Sequence, residues 1–90
     1  MASKRDKIDI INDMLEAIRN SRGKIKPTHL LYKSNMAHTK MKQYIEELKE
    51  KDMVDEVQEK NKKFFTITDK GLQFIQDYRR MKEFANVFGF

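Results

Sequence analysis

Apolar positions recur at intervals of three and four near the start of the chain, at Ile8, Ile11, Leu15 and Ile18, which is the period of an amphipathic helix. Ile10, Met14 and Ala17 widen that face beyond an ordinary stripe, so the helix is expected to meet two surfaces. It is predicted over residues 4 to 20. Ser21-Arg22-Gly23 supplies the stop, with Gly23 free to take the left-handed conformation that ends many helices. A short extended piece at 24–26 leads to Pro27, which suits a first helical position because its missing amide hydrogen costs nothing there. A brief second helix then passes through Leu30, Leu31 and Tyr32 until Ser34-Asn35 breaks it.

A third helix is predicted from Met36 or Ala37 to about Lys51. Met41, Tyr44, Ile45 and Leu48 share one side of it, whereas Thr39, Gln43, Glu46 and Glu50 share the other, with Lys40 and Lys42 on the flanks. His38 falls at the edge of the apolar side. Tyr32 and Tyr44 are both expected to be largely buried. Two runs rich in Val, Phe, Ile and Thr follow, at 53–58 and 63–68, and read as a hairpin with Glu59-Lys60-Asn61-Lys62 at its tip. Val57, Phe65 and Ile67 are its expected inward residues. Thr68 offers a cap and Asp69 a favourable first-turn charge for a last helix reaching about Asn86, with Leu72 and Ile75 closing onto the core.

That last helix carries a second apolar pattern. Phe74, Tyr78, Met81, Ala85 and Phe88 are spaced four, three, four and three apart, a heptad seam on a different side from Leu72 and Ile75. The seam either packs on the broad face of the first helix or joins two copies of the chain. Leu72 and Ile75 already supply inward contacts, so a homodimer is the expectation.

Charge sharpens the picture. From Ala17 to Ile45 there is no Asp or Glu, yet the stretch holds Arg19, Arg22, Lys24, Lys26, Lys33, Lys40 and Lys42. These seven cations exceed the net +5 of the chain, so the remainder sums to about −2. Basicity concentrated on a helix pair joined by a tight turn points to a phosphate backbone, and the acids of the third helix lie only in its second half. Its N-terminal half is therefore the end suited to DNA.

Ninety residues fit one small domain, spanning 1–90. The absence of cysteine excludes disulfides, thiolate metal sites and thiol nucleophiles, and fits a reducing, cytoplasmic setting. No run approaches a membrane span or a secretory signal, so a soluble protein that is not exported is expected. His29 and His38 have no ligand-spaced partners, and no metal or other cofactor is expected. No glycine-rich phosphate loop or paired histidines suggest an enzyme. No polar residue stands out on an apolar face, and no small-molecule ligand is inferred.

Three stretches carry a family resemblance: Leu30-Leu31-Tyr32-Lys33-Ser34-Asn35-Met36, Lys42-Gln43-Tyr44-Ile45-Glu46-Glu47-Leu48, and Phe64-Phe65-Thr66-Ile67-Thr68-Asp69-Lys70-Gly71. The last is the most specific. In these stretches the chain resembles the small archaeal-type winged-helix DNA-binding proteins that end in a long dimerising helix. The chain departs from that pattern at Ala37, where a capping Ser or Thr is common, and at Asp52, where a Gly is common. The resemblance implies a mainly α fold with a small β-hairpin wing: a winged helix-turn-helix core at about 4–68 and a dimerisation helix at about 69–88.

It further implies a homodimer on double-stranded DNA, acting in transcription regulation or as a nucleoid-associated protein. His38, Thr39, Lys40, Lys42 and Gln43 would enter the major groove, and Lys60, Asn61, Lys62 and Lys63 would form the wing contacts. Lys26, Thr28 and Lys33 would hold phosphates beside helix two, with Arg22 and Lys24 extending the strip. Gln43 has the geometry to pair with an adenine edge and Thr39 to meet a thymine methyl. Phe74, Tyr78, Met81, Ala85 and Phe88 would form the dimer interface. The alternative is a protein-interaction module that uses the same scaffold without DNA.

Overall fold

The structure, a computed structural model, describes residues 6–90. Helix α1 runs Lys7–Asn20. The expected start at residue 4 lies outside the described residues. Asp9 Oδ2 accepts the Asp6 amide at 3.1 Å, satisfying one of the free donors at the head of α1. At the other end Arg22 and Gly23 both take positive φ, 65° and 80°, and the Gly23 amide returns to the Ile18 carbonyl at 3.0 Å. The chain thus leaves α1 and enters β1, Lys24–Ile25.

Helix α2, Pro27–Ser34, begins at the proline as expected and stops at Asn35, whose φ is 51°. Helix α3 occupies His38–Glu50 behind Ala37, which provides no side-chain cap. Strands β2, Val54–Glu59, and β3, Lys62–Ile67, form the hairpin, and α4 runs Asp69–Val87. Thr68 caps α4 by accepting the Gly71 amide at 3.1 Å while its hydroxyl donates to the Asp52 carbonyl at 2.6 Å. Among the described residues no helix is long and apolar enough to cross a membrane.

The extended piece before α2 is more than a connector. β1 pairs antiparallel with β3, giving a three-stranded sheet in the order β1-β3-β2 where the sequence suggested two strands. Two hydrogen bonds continue the joint: Ile67 N–H to the Gly23 carbonyl at 3.1 Å and Thr68 N–H to the Met53 carbonyl at 3.1 Å. The hairpin turn contains only Lys60 and Asn61, both left-handed at φ 50° and 65°, as the tight two-residue hairpin requires.

That turn fixes the register, and the register overturns one expectation. Glu56 lies opposite Phe65 and Val57 opposite Phe64. Because side chains alternate along a strand, Phe65 and Glu56 share the face turned to α3 while Val57 and Phe64 share the outer face. Val57 is exposed, not inward. Val54, opposite Ile67, is the valine that enters the core.

The core collects Met14, Leu15 and Ile18 of α1, Ile25, Leu30 of α2, Ile45 and Leu48 of α3, Val54, Phe65 and Ile75 of α4. Leu72 is only half-buried. Tyr32 is a second correction: it is 85% exposed, because the buried residues of α2 are Leu30 and Ser34 and a residue midway between them faces outward. Tyr44 is half-buried. Asn12 also departs from expectation, being 3% exposed among apolar neighbours. Its Nδ2 donates to Glu16 Oε2 at 2.8 Å, and its Oδ1 has no partner.

Candidate nucleic-acid interface

Helix α3 presents three differently furnished sides. Thr39, Gln43 and Lys42 are exposed in its first half. Lys40 and Glu47 are seven residues apart and so share a flank. Glu47 is bound to Lys7 of α1 at 2.7 Å, which places Lys40 on the side nearest α1. That pair raises the Lys7 ammonium and lowers the Glu47 carboxyl from their ordinary ranges, chiefly through the hydrogen bond between them.

His38, Lys42 and Glu46 occupy the opposite flank, where they line a cleft of about 140 Å³ with Glu56, Lys63 and Phe65 of the hairpin. His38 is exposed. The sheet register brings Lys63 here, because Lys63 shares the Phe65 face. Helix α3 and the wing root therefore meet across one partly charged cleft. Glu56 bridges it: its Oε1 is 3.1 Å from Lys49 Nζ, and its Oε2 is 3.9 Å from Lys63 Nζ. The hydrogen bond to Glu56 is the largest cause holding the Lys49 ammonium above its ordinary range.

The residues expected around α2 divide. Lys26 and Thr28 line a shallow concavity with Lys62 and Lys63, of about 310 Å³, so they extend the basic surface from the wing. Lys33 is set apart, lining another depression with Asp13, Glu16, Ala17 and Asn20 of α1. Lys24 lies on the outer sheet face, 2.7 Å from Glu59 Oε1 and 4.8 Å from the Phe64 ring centroid. Lys26, Lys40, Lys42, Lys60 and Lys62 make no ion pair among the described residues, and Asn61 sits exposed at the hairpin tip. Among the described residues no three acids or histidines group as metal ligands.

The seam of α4 also divides. Phe74 is half-buried against the core and stacks on Tyr78 with centroids 6.4 Å apart. The Tyr78 hydroxyl donates to Asp9 of α1, and Lys82 Nζ approaches the same carboxylate at 3.6 Å. Asp9 is thus the clasp of α1 to α4. A partner so distant in sequence leaves no local pattern to find. Ala85 is half-buried, its carbonyl accepting the Phe88 and Phe90 amides at 3.1 and 2.9 Å.

Beyond Tyr78 the apolar side chains are uncovered. Met81 is 43%, Phe84 67%, Val87 80% and Phe88 63% exposed, with the Phe84 and Phe88 rings 5.0 Å apart. Phe84 was missed by the heptad reading, although its spacing of three from Met81 and four from Phe88 is the signal that would have found it.

Similarity to known proteins agrees with this fold. Residues 4–86 match the winged helix-turn-helix family. No curated protein matches the chain by sequence. The fold is similar to that of Sso10a-2, a DNA-binding protein from Sulfolobus solfataricus, with a TM-score of 0.77 and 22% identity over 93% of this chain and 86% of that one. A winged-helix DNA-binding protein from STIV aligns with a TM-score of 0.75 and 13% identity, over 89% of this chain and 92% of its own. A MarR family protein from Bacillus stearothermophilus aligns with a TM-score of 0.70 and 17% identity; 88% of this chain covers 57% of that protein.

Proposed function

The chain belongs to the winged helix-turn-helix family, and from that membership we propose that it is a homodimeric duplex-DNA-binding protein, a transcription regulator or nucleoid-associated protein of the cytoplasm. The observation that carries the reading is the cleft at which Lys42 of α3 and Lys63 of the wing meet, continuous with Lys26, Thr28 and Lys62. A cationic helix end beside a cationic hairpin matches a major groove flanked by its phosphates. Thr39 and Gln43 face the bases, His38 and Lys42 the groove edge on the wing side, and Lys40 the opposite strand. Lys60, Asn61, Lys62 and Lys63 follow the backbone. Lys33, beside Asp13 and Glu16, contributes least. The DNA binding of the Sulfolobus solfataricus and STIV proteins supports the same assignment.

The test is fluorescence anisotropy of a labelled random-sequence duplex across a salt series. Log affinity is expected to fall steeply with log salt, and Lys40→Glu with Lys42→Glu to weaken binding at least about tenfold without altering the circular dichroism spectrum. Unchanged affinity removes α3 from the interface. One observation favours a second reading, a protein-interaction module: the uncovered Phe84, Phe88 and Phe90. It predicts a partner whose binding is insensitive to the lysine changes, together with duplex binding of little salt dependence.

A further inference from the structure

Two carboxylates, Glu46 of α3 and Glu56 of β2, line the cleft between α3 and the wing, and of these only Glu56 reaches lysines of two elements. Glu56 lies on the sheet face of Phe65 and Lys63, turned to α3, and its two oxygens are divided between two lysines from different elements. Lys49 comes from α3 and bonds Glu46 as well, at 3.3 Å. Lys63 comes from β3 and also lies 5.9 Å from the Phe65 ring centroid. Glu46, Glu56, Lys63 and Phe65 line the cleft between the recognition helix and the wing, through which a phosphate strand passes if α3 occupies the groove, and Lys49 adjoins it through its bonds to the two acids. An anion in that position holds the two cations in place in the free protein and repels any phosphate that does not replace it.

Resting on the duplex-DNA reading, we propose that Glu56, anchored by Lys49, is a built-in counter-anion that sets the protein's affinity for DNA, occupying Lys63 until a phosphate takes its place. Glu59 is the internal comparison. It also belongs to β2, but it points to the outer face and pairs with Lys24. Removal of either acid changes the net charge equally, whereas only removal of Glu56 frees a lysine that lines the cleft, Lys63, while Lys49 keeps its bond to Glu46.

The experiment measures binding of a labelled random duplex to the wild type, Glu56→Gln and Glu59→Gln across a salt series. Glu56→Gln is expected to bind about fivefold tighter, the effect of losing two exposed ion pairs, with a salt slope steeper by about one counterion. Glu59→Gln is expected to change affinity less than about twofold. Equal gains in both variants would reduce the effect to net charge and overturn the proposal, as would a Glu56→Gln affinity that is unchanged or weaker. Carboxyl-carbon NMR of the wild type gives a readout that needs no variant: the Glu56 resonance is expected to move as duplex saturates the protein, and an immobile resonance overturns the exchange. If the wild type shows no salt-sensitive binding at all, the duplex reading itself fails, an outcome distinct from equal behaviour of the two variants.

Discussion

Gly71 occupies the first turn of α4 where that helix passes closest to the start of the hairpin. A β-carbon there would sit 2.5 Å from the Met53 carbonyl oxygen and 2.7 Å from Ile67 Cγ1. The carbonyl is fixed by the Thr68 amide at 3.1 Å, so it has no room to yield. Gly71→Ala is expected to destabilise the fold by about 2 kcal/mol in urea denaturation, through overpacking against backbone. The final glycine of Ile67-Thr68-Asp69-Lys70-Gly71 is thus a packing requirement. Tyr78 supports a prediction of another kind. Its hydrogen bond to Asp9, with burial and nearby acids, pushes the phenol up to about 12, while the same bond chiefly holds the Asp9 carboxyl below its ordinary range. A phenol raised from roughly 10 contributes stability that is fully present below pH 10 and lost as pH rises towards its folded value. The Asp9 contribution is lost in the opposite direction, as acid protonates the carboxylate. Ultraviolet titration of tyrosinate should show one residue ionising last, and Tyr78→Phe should remove that step alone.

At the scale of elements, the helices were legible because each buries residues three and four apart, as Met14, Leu15 and Ile18 do in α1 and Met41, Ile45 and Leu48 in α3. The hairpin was legible as an element but not in its facing. Val57 lies opposite Phe64 whether the turn holds two residues or four, so Val57 and Phe65 fall on opposite faces; both would point inward only after a one-residue slip, which reverses every side chain of a strand. Only two residues long, β1 is recognisable by its pairing with β3 and not by any periodicity. Of the candidate site, the cations of α3 and the wing were visible in the sequence. The bridge through Glu56 was not, because it joins α3 to both strands across the fold. The turn offers a test that separates the wing's shape from its charge. Lys60→Asn with Asn61→Gly substitutes residues better suited to two left-handed positions, and is expected to raise stability by about 1 kcal/mol. Duplex affinity should nevertheless fall about threefold, because one charge proposed to face phosphate is lost. A gain in affinity would show that wing order outweighs the Lys60 charge.

Across the whole molecule the long dimension comes from α4. The principal extents are 49, 29 and 22 Å, and the helix passes its last fully buried residue, Ile75, well before its end at Val87. Its first half is clasped to α1 by Tyr78 and Asp9 and by Arg79, whose Nη2 is 3.4 Å from Glu16 Oε1. Its second half carries aromatic surface of the kind that marks an interaction site. Changes at Tyr78 therefore test the clasp and the proposed dimer together, whereas Phe84 and Phe88 touch the dimer alone. Phe84→Glu with Phe88→Glu is expected to raise the dimer dissociation constant at least about a hundredfold in sedimentation equilibrium, since an apolar interface leaves both charges unpaired. The thermal midpoint of the wild type should rise with concentration and that of the variant should not. The isolated protomer should keep its fold, because both side chains are already exposed within it. With one reading head in place of two, the variant should bind random duplex with roughly half the salt slope of the wild type. A variant that stays dimeric would move the interface to the groove of about 260 Å³ lined by Ile8, Phe74, Asp77, Tyr78 and Met81, where α1 and α4 meet.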